Sequence, residues 1–320
     1  MTAVVGILGS SGFIGNKCVE AIQGQGFCVR RILTPRLVAS DSSPGGLRAA
    51  SASSAAVAQL AQEMTGLTVV VNAAGISDAA AARSGELFGA NSLLPIVAAR
   101  ASDLAGVRRL VHVSSAAVQG RLPILDESAR YTPFSPYSHS KAMAEMLLQE
   151  SSASLQLVIY RPTSVHGRER RVTMRLAEFA RSPWSSVAGS GHQATPQVLV
   201  ENVAAGVGYC TRKDVDPPRF VLQPWEGLDC AKLLEILGRG RRPRSVAVPA
   251  ARSLVYALRR FPVSEVLSRR LEMLWMGQGQ ARSWLDSQSW EPVADGSGWR
   301  ALAEQLWLDE RSGRTKSLGR

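Results

Sequence analysis

The sequence predicts an α/β protein built on a doubly wound parallel sheet, and three observations predict it. Short runs rich in β-branched and aliphatic residues recur at 4–8, 29–33, 68–72, 110–113 and 157–160. Stretches of helical character separate them, among them 79–103 and 141–152. A glycine-rich turn, Gly9-Ser-Ser-Gly12-Phe-Ile-Gly15, follows the first run directly and opens a helix. Continuous apolar strands alternating with helices indicate a parallel sheet covered on both faces. Such a sheet takes its ligands at the carboxyl ends of its strands.

The first run, 4–8, has no basic residue before it and is too short to span a bilayer, so it reads as a buried strand. In the loop that follows, Gly9 permits the tight turn. Gly12 lets a pyrophosphate approach the backbone and the N–H groups of the helix N-terminus. Gly15 lets helix and strand pack closely, and Ser11, Phe13 and Ile14 complete the cradle. This placement makes the fold a Rossmann type with a bound dinucleotide. At the end of the second run, near Leu33, an acidic residue would accept hydrogen bonds from the adenosine ribose of NAD, and none is there. Arg30 and Arg31 precede that point and Arg36 follows it. A guanidinium can pair with a 2′-phosphate, so the expectation leans to NADP over NAD. Residues 40–61, mostly Ser, Ala and Gly, read as a loop followed by a helix.

Ser115 lies at the ligand-facing end of the run 110–113, with Ser114 as the alternative. Tyr137 and Lys141 stand four residues apart, on one face of a helix that Pro136 can begin. A phenol is a poor base at neutral pH, but a neighbouring ammonium and an oxidised nicotinamide favour its ionised form. The set Ser115, Tyr137 and Lys141 therefore reads as catalytic. Beyond Arg161 the pattern loosens. Arg168, Arg170, Arg171 and Arg175 cluster where they would border the cleft. They form either an anion clamp or a solvated helix start. Residues 253–276 read as one amphipathic helix packed on the core with its arginines outward, and 310–320 as a frayed tail.

Of the 320 residues 45% are hydrophobic and 20% charged, an ordinary globular composition that excludes a disordered chain. The net charge of +11 is uneven: residues 1–150 carry 12 Lys/Arg against 10 Asp/Glu, and residues 151–320 carry 25 against 16. Positive excess in the second half suits an anionic ligand or an ordinary solvated face. No nucleic-acid recognition motif accompanies it. Cys18, Cys28, Cys210 and Cys230 form no C-x-x-C pair and read as buried, reduced thiols of a cytoplasmic protein. No spacing suggests a metal site. Of the histidines, His112 reads as core, His139 as turned away from the site, and His166 as the one near the cleft.

The stretches GSSGFIG, NAAG (72–75), FGANSLLPIVAARASDLAGVRRLVHVSSAAVQG (88–120), PYSHSKAMAE (136–145) and YRPTSVHG (160–167) resemble the extended short-chain dehydrogenase/reductase family, in its NAD-dependent epimerase/dehydratase group. The resemblance covers about residues 3–210. It implies Tyr137 as the acid/base, Lys141 as the group that binds the nicotinamide ribose and lowers the phenol's pKa, and Ser115 as the group that orients substrate. It implies Asn91 as a support of the helix carrying the site. Ala73, Ala74 and Gly75 match a turn beside the cofactor, and Pro162 to Ser164 a segment near the nicotinamide. Ser77, Ala116, His166, Arg171 and Arg175 are the candidate substrate contacts.

The chain also departs from the family. Gln119 and His166 stand where tyrosines are frequent, Thr195 where many sugar-nucleotide members carry an arginine, and Asn202 where they carry an aspartate. No counterpart of the family's adenine-contacting aspartate is visible in 47–58. The organisation expected is an NAD(P)-binding core over 1–165, a smaller substrate-binding region over 166–310 interleaved with the last core elements, and a tail over 311–320. The activity expected is oxidoreduction or epimerisation at a hydroxyl or carbonyl carbon, first of a nucleotide sugar. An NADP-dependent ketone or sterol-like alcohol reductase is the second choice, and a non-catalytic NAD(P) sensor the third. The partner expected is a small molecule, anionic if the basic half faces it. Nucleic acid and membrane insertion are not expected, and a homodimer is left open.

Overall fold

A six-stranded sheet organises the computed structural model, which describes residues 4–150, 154–260 and 265–312. Its strands are β1 (Val4–Leu8), β2 (Cys28–Ile32), β3 (Val69–Asn72), β4 (Arg109–Val113), β5 (Gln156–Arg161) and β6 (Phe220–Leu222). All pair in parallel, in the order β6-β5-β4-β3-β1-β2. The chain leaves β1 for β2 on one side and returns to β3 on the other, so the winding reverses between β1 and β3. A crevice opens outside the carboxyl ends of the strands at such a reversal.

Helices α1 (Phe13–Gly24), α2 (Pro44–Ala52), α3 (Ala55–Met64), α4 (Leu94–Leu104), α5 (Pro136–Leu148) and α7 (Val200–Thr211) cover the sheet, with α6 (Arg171–Arg181) between the last two in sequence. On one face Leu8, Val70, Leu110 and Leu157 pack against Leu60, Met64, Val97 and Leu148 of α3, α4 and α5. On the other, Ile7, Val71, Val111 and Val158 pack against Val19 and Ile22 of α1 and Val203 and Val207 of α7. Neighbouring residues of a strand point to opposite faces, so the two buried faces make the inner strands β1 and β3 and the middles of β4 and β5 largely apolar. A separate cluster, with Ala177, Leu233, Leu234, Trp299 and Leu302, joins α6 to α8 (Cys230–Leu237) and α11 (Gly296–Arg311).

Several expected elements differ in extent. The second strand begins at Cys28 and stops at Ile32. It is an edge strand, and its exposed Cys28 corrects the expectation of four buried thiols. The edge is guarded by Arg30, whose Nη1 donates to the carbonyls of Glu63 and Thr65 at 2.9 and 3.0 Å. The Ser/Ala/Gly stretch holds two helices, the first capped by Ser43 and opened by Pro44.

The helix expected from 79 begins only at Gly85, capped by Ser84, and passes through a π-helical turn, Gly89–Leu93, into α4. The helix bearing Tyr137 starts at Pro136 and ends at Leu148. The single helix expected over 253–276 is two, α9 (Val248–Arg260) and α10 (Glu265–Met276). The residues between them, 261–264, lie outside the described residues. The expected tail overlaps α11 as far as Arg311, with Ser312 as its C-cap, and residues 313–320 lie outside the described residues.

Candidate active site

The end of β1 turns through Gly9, whose φ of 73° is left-handed. Its N–H donates to Thr34 Oγ1 at 2.9 Å, tying the loop to the end of β2. A Cβ on Gly9 would lie 2.5 Å from the Ala74 nitrogen, and one on Gly15 would lie 2.0 Å from the Gly9 carbonyl oxygen. Both glycines are thus required by close backbone approach. Gly12 caps α1 with no side-chain acceptor, which leaves the first N–H groups of the helix facing the crevice. Ser11 and Gly12 are exposed, and Phe13 and Ile14 half-buried.

At the end of β3, Ala73 donates to the Leu8 carbonyl at 3.0 Å and Ala74 to Asn72 Oδ1 at 3.1 Å. Asn91, in the π-helical turn, holds the next residues. Its Oδ1 accepts from Ile76 N at 2.9 Å, and its Nδ2 donates to the Ile76 carbonyl at 3.0 Å and to Ser140 Oγ at 3.1 Å. A Cβ on Gly75 would stand 2.6 Å from Asn91 Oδ1 and 3.3 Å from Lys141 Nζ. The backbone is bare there, directly beside the ammonium.

Helix α5 enters with a capping box between Ser135 and Ser138 and with Pro136 in its first turn. Tyr137, Lys141 and Glu145 follow one another at helical spacing, and each does a different task. Glu145 is buried and pairs with buried Arg161 at 2.6 Å. It also accepts from Ser114 Oγ at 2.5 Å. Lys141 Nζ donates to the Val113 carbonyl at 3.1 Å. Tyr137 is half-buried, and the Ser115 hydroxyl lies near enough to its phenol to pull the phenol's pKa down. Ser114 is thereby a structural residue under the site, and Ser115 is the serine at the phenol. Ala116, buried, donates to the Pro162 carbonyl at 2.8 Å and ties the end of β4 to the end of β5.

Burial acts on both titrating groups. It pushes the Tyr137 phenol up, against the Ser115 hydroxyl and the charge of Arg170, which pull it down. It lowers Lys141 to about 8, with Glu145 opposing. The cation that acts on the phenol here is thus Arg170, a residue sequence reasoning did not single out from its cluster. Its guanidinium lies 5.0 Å from the centre of the Phe13 ring, and its Nη1 donates to Ser77 Oγ at 2.9 Å. Only its position in the run 168–175 could have flagged it.

Gly9 to Gly15, Ala73 to Gly75, Asn91, Ser115, Tyr137, Lys141 and Pro162 to Ser164 all stand at the carboxyl ends of β1, β3, β4 and β5. Arg36 is exposed, beyond the end of β2. The Arg31 guanidinium, by contrast, donates to the Ser10 carbonyl at 3.1 Å, inside the glycine loop. Glu63 of α3 accepts from Leu33 N at 3.1 Å, so a carboxylate does stand at the end of β2, though not in its sequence. Arg171 and Arg175 are exposed on α6, and Arg175 faces half-buried Arg270 of α10.

His166 is fully buried. Its Nε2 lies 2.5 Å from Gln197 Oε1 and 3.1 Å from Ser164 Oγ, its Nδ1 lies 3.1 Å from Thr173 Oγ1, and burial lowers it to about 4. Its ring is directed to packing partners, Trp299 among them. Thr195 is buried and accepts from Gln197 Nε2 at 3.0 Å. Asn202 holds Ala294 through two hydrogen bonds of 2.7 and 2.9 Å.

A dinucleotide fits this arrangement. The glycine loop is held bare by close packing on its own backbone, and the N-terminus of α1 beside it has no side-chain cap. The Thr163 hydroxyl, at the crevice end of β5, is buried with no hydrogen-bond partner among the described residues. Such a group calls for a partner supplied from outside the chain.

A profile of the NAD dependent epimerase/dehydratase family matches residues 5–221. No curated protein matches the chain by sequence. Among solved structures, UDP-glucuronic acid 4-epimerase from Bacillus cereus, in complex with NAD, is 15% identical with a TM-score of 0.62, over 95% of this chain and 99% of that one. A double mutant of dTDP-glucose 4,6-dehydratase from Streptomyces venezuelae, with NAD bound, is 18% identical with a TM-score of 0.63, over 98% and 99%. dTDP-4-dehydrorhamnose reductase from Bacillus anthracis, in complex with NADP, is 14% identical with a TM-score of 0.59, over 97% and 99%. At these identities the likeness is one of fold.

Proposed function

The chain belongs to the NAD-dependent epimerase/dehydratase family, of the extended short-chain dehydrogenase/reductase type, and from that premise we propose that it oxidises or reduces a hydroxyl or carbonyl carbon of a nucleotide sugar. The observation that carries this reading is the Tyr137 phenol, with Ser115 beside it and buried Lys141 one helical turn away, at the mouth of the glycine-lined crevice. Residues 1–165 would supply the cofactor core and 166–310 most of the substrate-facing surface.

The cofactor would be held by the Gly9–Gly15 loop, by the Ala73–Gly75 turn with Asn91 behind it, and by Lys141 and the Pro162–Ser164 segment. When bound, its nicotinamide supplies or accepts the hydride. Ser115 holds the substrate oxygen against the phenol. Tyr137 Oη gives that oxygen a proton in reduction and takes one in oxidation. Arg170 puts a positive charge at the phenol's end of the site, where an ionised phenol is otherwise penalised by burial, and Lys141 stands one turn behind it. Ser114, Glu145 and Arg161 fix the floor beneath them.

NADP is read as the preferred cofactor. The strand β2 carries no acid of its own, the Glu63 carboxylate at its end is engaged by Leu33 N, and Arg31 holds its guanidinium at the glycine loop. One observation favours a second reading, an NADP-dependent ketone or sterol-like alcohol reductase. The Thr195 site is buried and neutral where sugar-nucleotide members carry a diphosphate-binding arginine. Exposed Arg175 with Arg270 beside it offers a substitute charge pair, which keeps the nucleotide sugar first.

The test is turnover of the purified protein on UDP- and dTDP-hexoses with NAD or NADP, against simple ketones with NADPH. Conversion of a nucleotide sugar is expected. Turnover of ketones alone would replace the first reading by the second. No dinucleotide binding at all would remove both.

A further inference from the structure

Arg170 is the one arginine of its cluster that reaches into the crevice, and its surroundings are unusual for a surface cation. It stands at the N-cap of α6 in extended conformation, φ −89° and ψ 120°. The segment before it closes over Phe13, because a Cβ on Gly167 would meet the Phe13 ring at 2.8 Å. Phe13 is the first residue of α1, at the helix N-terminus that follows the glycine loop. The Arg170 guanidinium lies over that ring, and its Nη1 reaches across to Ser77 in the loop after β3. It therefore spans the two walls of the crevice. Its Nε is buried with no hydrogen-bond partner among the described residues. Neither Asp78, whose charge it feels, nor the phenol of Tyr137 forms an ion pair with it among those residues. A desolvated guanidinium with a donor to spare, beside the open N–H groups of Phe13, Ile14 and Gly15 at a helix end, is short of an anion.

We propose that Arg170 is a clasp for the dinucleotide: it leaves Ser77 and closes over the pyrophosphate seated at the N-terminus of α1. This rests on the dinucleotide reading above and adds to it a cofactor contact from the substrate-facing half of the chain. The planar fork suits a diphosphate, with Nε and one Nη available together on one edge. Phe13 fixes the plane of the fork. The clasp also shields the pyrophosphate from water once it is bound, so cofactor binding and the ordering of the α6 entrance become one event. Ser77 Oγ acts as the resting partner and competes weakly, being neutral.

The experiment is titration of the full chain with NADH, followed by nucleotide fluorescence, for wild type and for R170M, R170K and S77A. UDP is titrated alongside by calorimetry. Loss of one charge-assisted contact to a phosphate is expected to weaken NADH binding roughly tenfold to hundredfold in R170M. R170K is expected to recover part of this loss through its charge, and S77A to bind at least as tightly as wild type. Circular dichroism and melting temperature establish that each variant is folded. An NADH affinity of R170M within twofold of wild type overturns the clasp, as does a loss that falls on UDP alone. A loss in S77A equal to that in R170M also overturns it, because the resting contact would then be the one that matters. Failure of wild type itself to bind NADH or NADPH would count against the dinucleotide reading instead.

Discussion

Replacing Lys141 by methionine should make the cofactor-free protein more stable at neutral pH while removing its activity. Lys141 is 4% exposed, and burial lowers its pKa from 10.5 to about 8. The unfolded chain keeps the proton up to its higher pKa, and the folded chain releases it at the lower one. Between the two the unfolded state binds more protons, so stability rises with pH across that window. The full cost of the buried ammonium is present below it. Two and a half pH units at about 1.4 kcal/mol each make that cost about 3 kcal/mol. Methionine forgoes the hydrogen bond to Val113, worth about 1 kcal/mol, and the apolar stem is otherwise matched.

The net expectation is a gain of about 2 kcal/mol for Lys141→Met at neutral pH, a rise in Tm of several degrees. Raising the pH to about 9.5 relieves most of the wild-type penalty, so the gap should shrink by about 2 kcal/mol. Thermal unfolding of both proteins at the two pH values measures it. A variant that melts below wild type at neutral pH, or a gap that does not change with pH, would refute the assignment of Lys141 as a strained, desolvated ammonium.

Three further outcomes follow from the geometry. Ser115→Ala should lower kcat by roughly a hundredfold and cost only about 1 kcal/mol through its lost cap on Ala117 N, whereas Ser114→Ala should act on stability and leave kcat near wild type; steady-state kinetics and melting curves separate them, and equal kinetic losses would contradict the division. Arg161→Met should cost about 3–5 kcal/mol in denaturant unfolding, because the Glu145 carboxylate would be left buried and unpaired; a cost below 1 kcal/mol would mean that water reaches the pair. Gly15→Ala should weaken NADH binding at least tenfold by titration, since its Cβ would meet the Gly9 carbonyl at 2.0 Å; unchanged affinity would show that the loop has freedom the packing denies it.

The parts of this molecule that were legible in its sequence are those set by short-range rules. Four of the six central strands show as apolar runs because both faces of each are buried, β2 shows by its place between the first helix and the next helical stretch, and the glycine loop shows because its spacing meets three separate backbone demands. Tyr137 and Lys141 declare themselves by sharing a helix face. The sixth strand, Phe220–Leu222, is three residues long and has too little pattern to stand out.

Tertiary partners were less visible. Ser114 and Ser115 are neighbours of identical type, and only the buried Glu145 beneath Ser114 tells them apart. Arg170 differs from Arg171 and Arg175 by meeting Phe13 and Ser77, residues remote in the chain. The carboxylate at the end of β2 comes from Glu63, two elements later. His166 looked like a cleft residue from its place after β5, yet four partners enclose it.

Tyr137→Phe tests the central claim most directly, because it deletes one oxygen and leaves the ring in place. With the nucleotide sugar that wild type converts, the variant should bind NADH or NADPH within about twofold of wild type and lose turnover by roughly a hundredfold to ten-thousandfold. Turnover at the wild-type rate would show that the proton travels by another group, and the account of this site would fail.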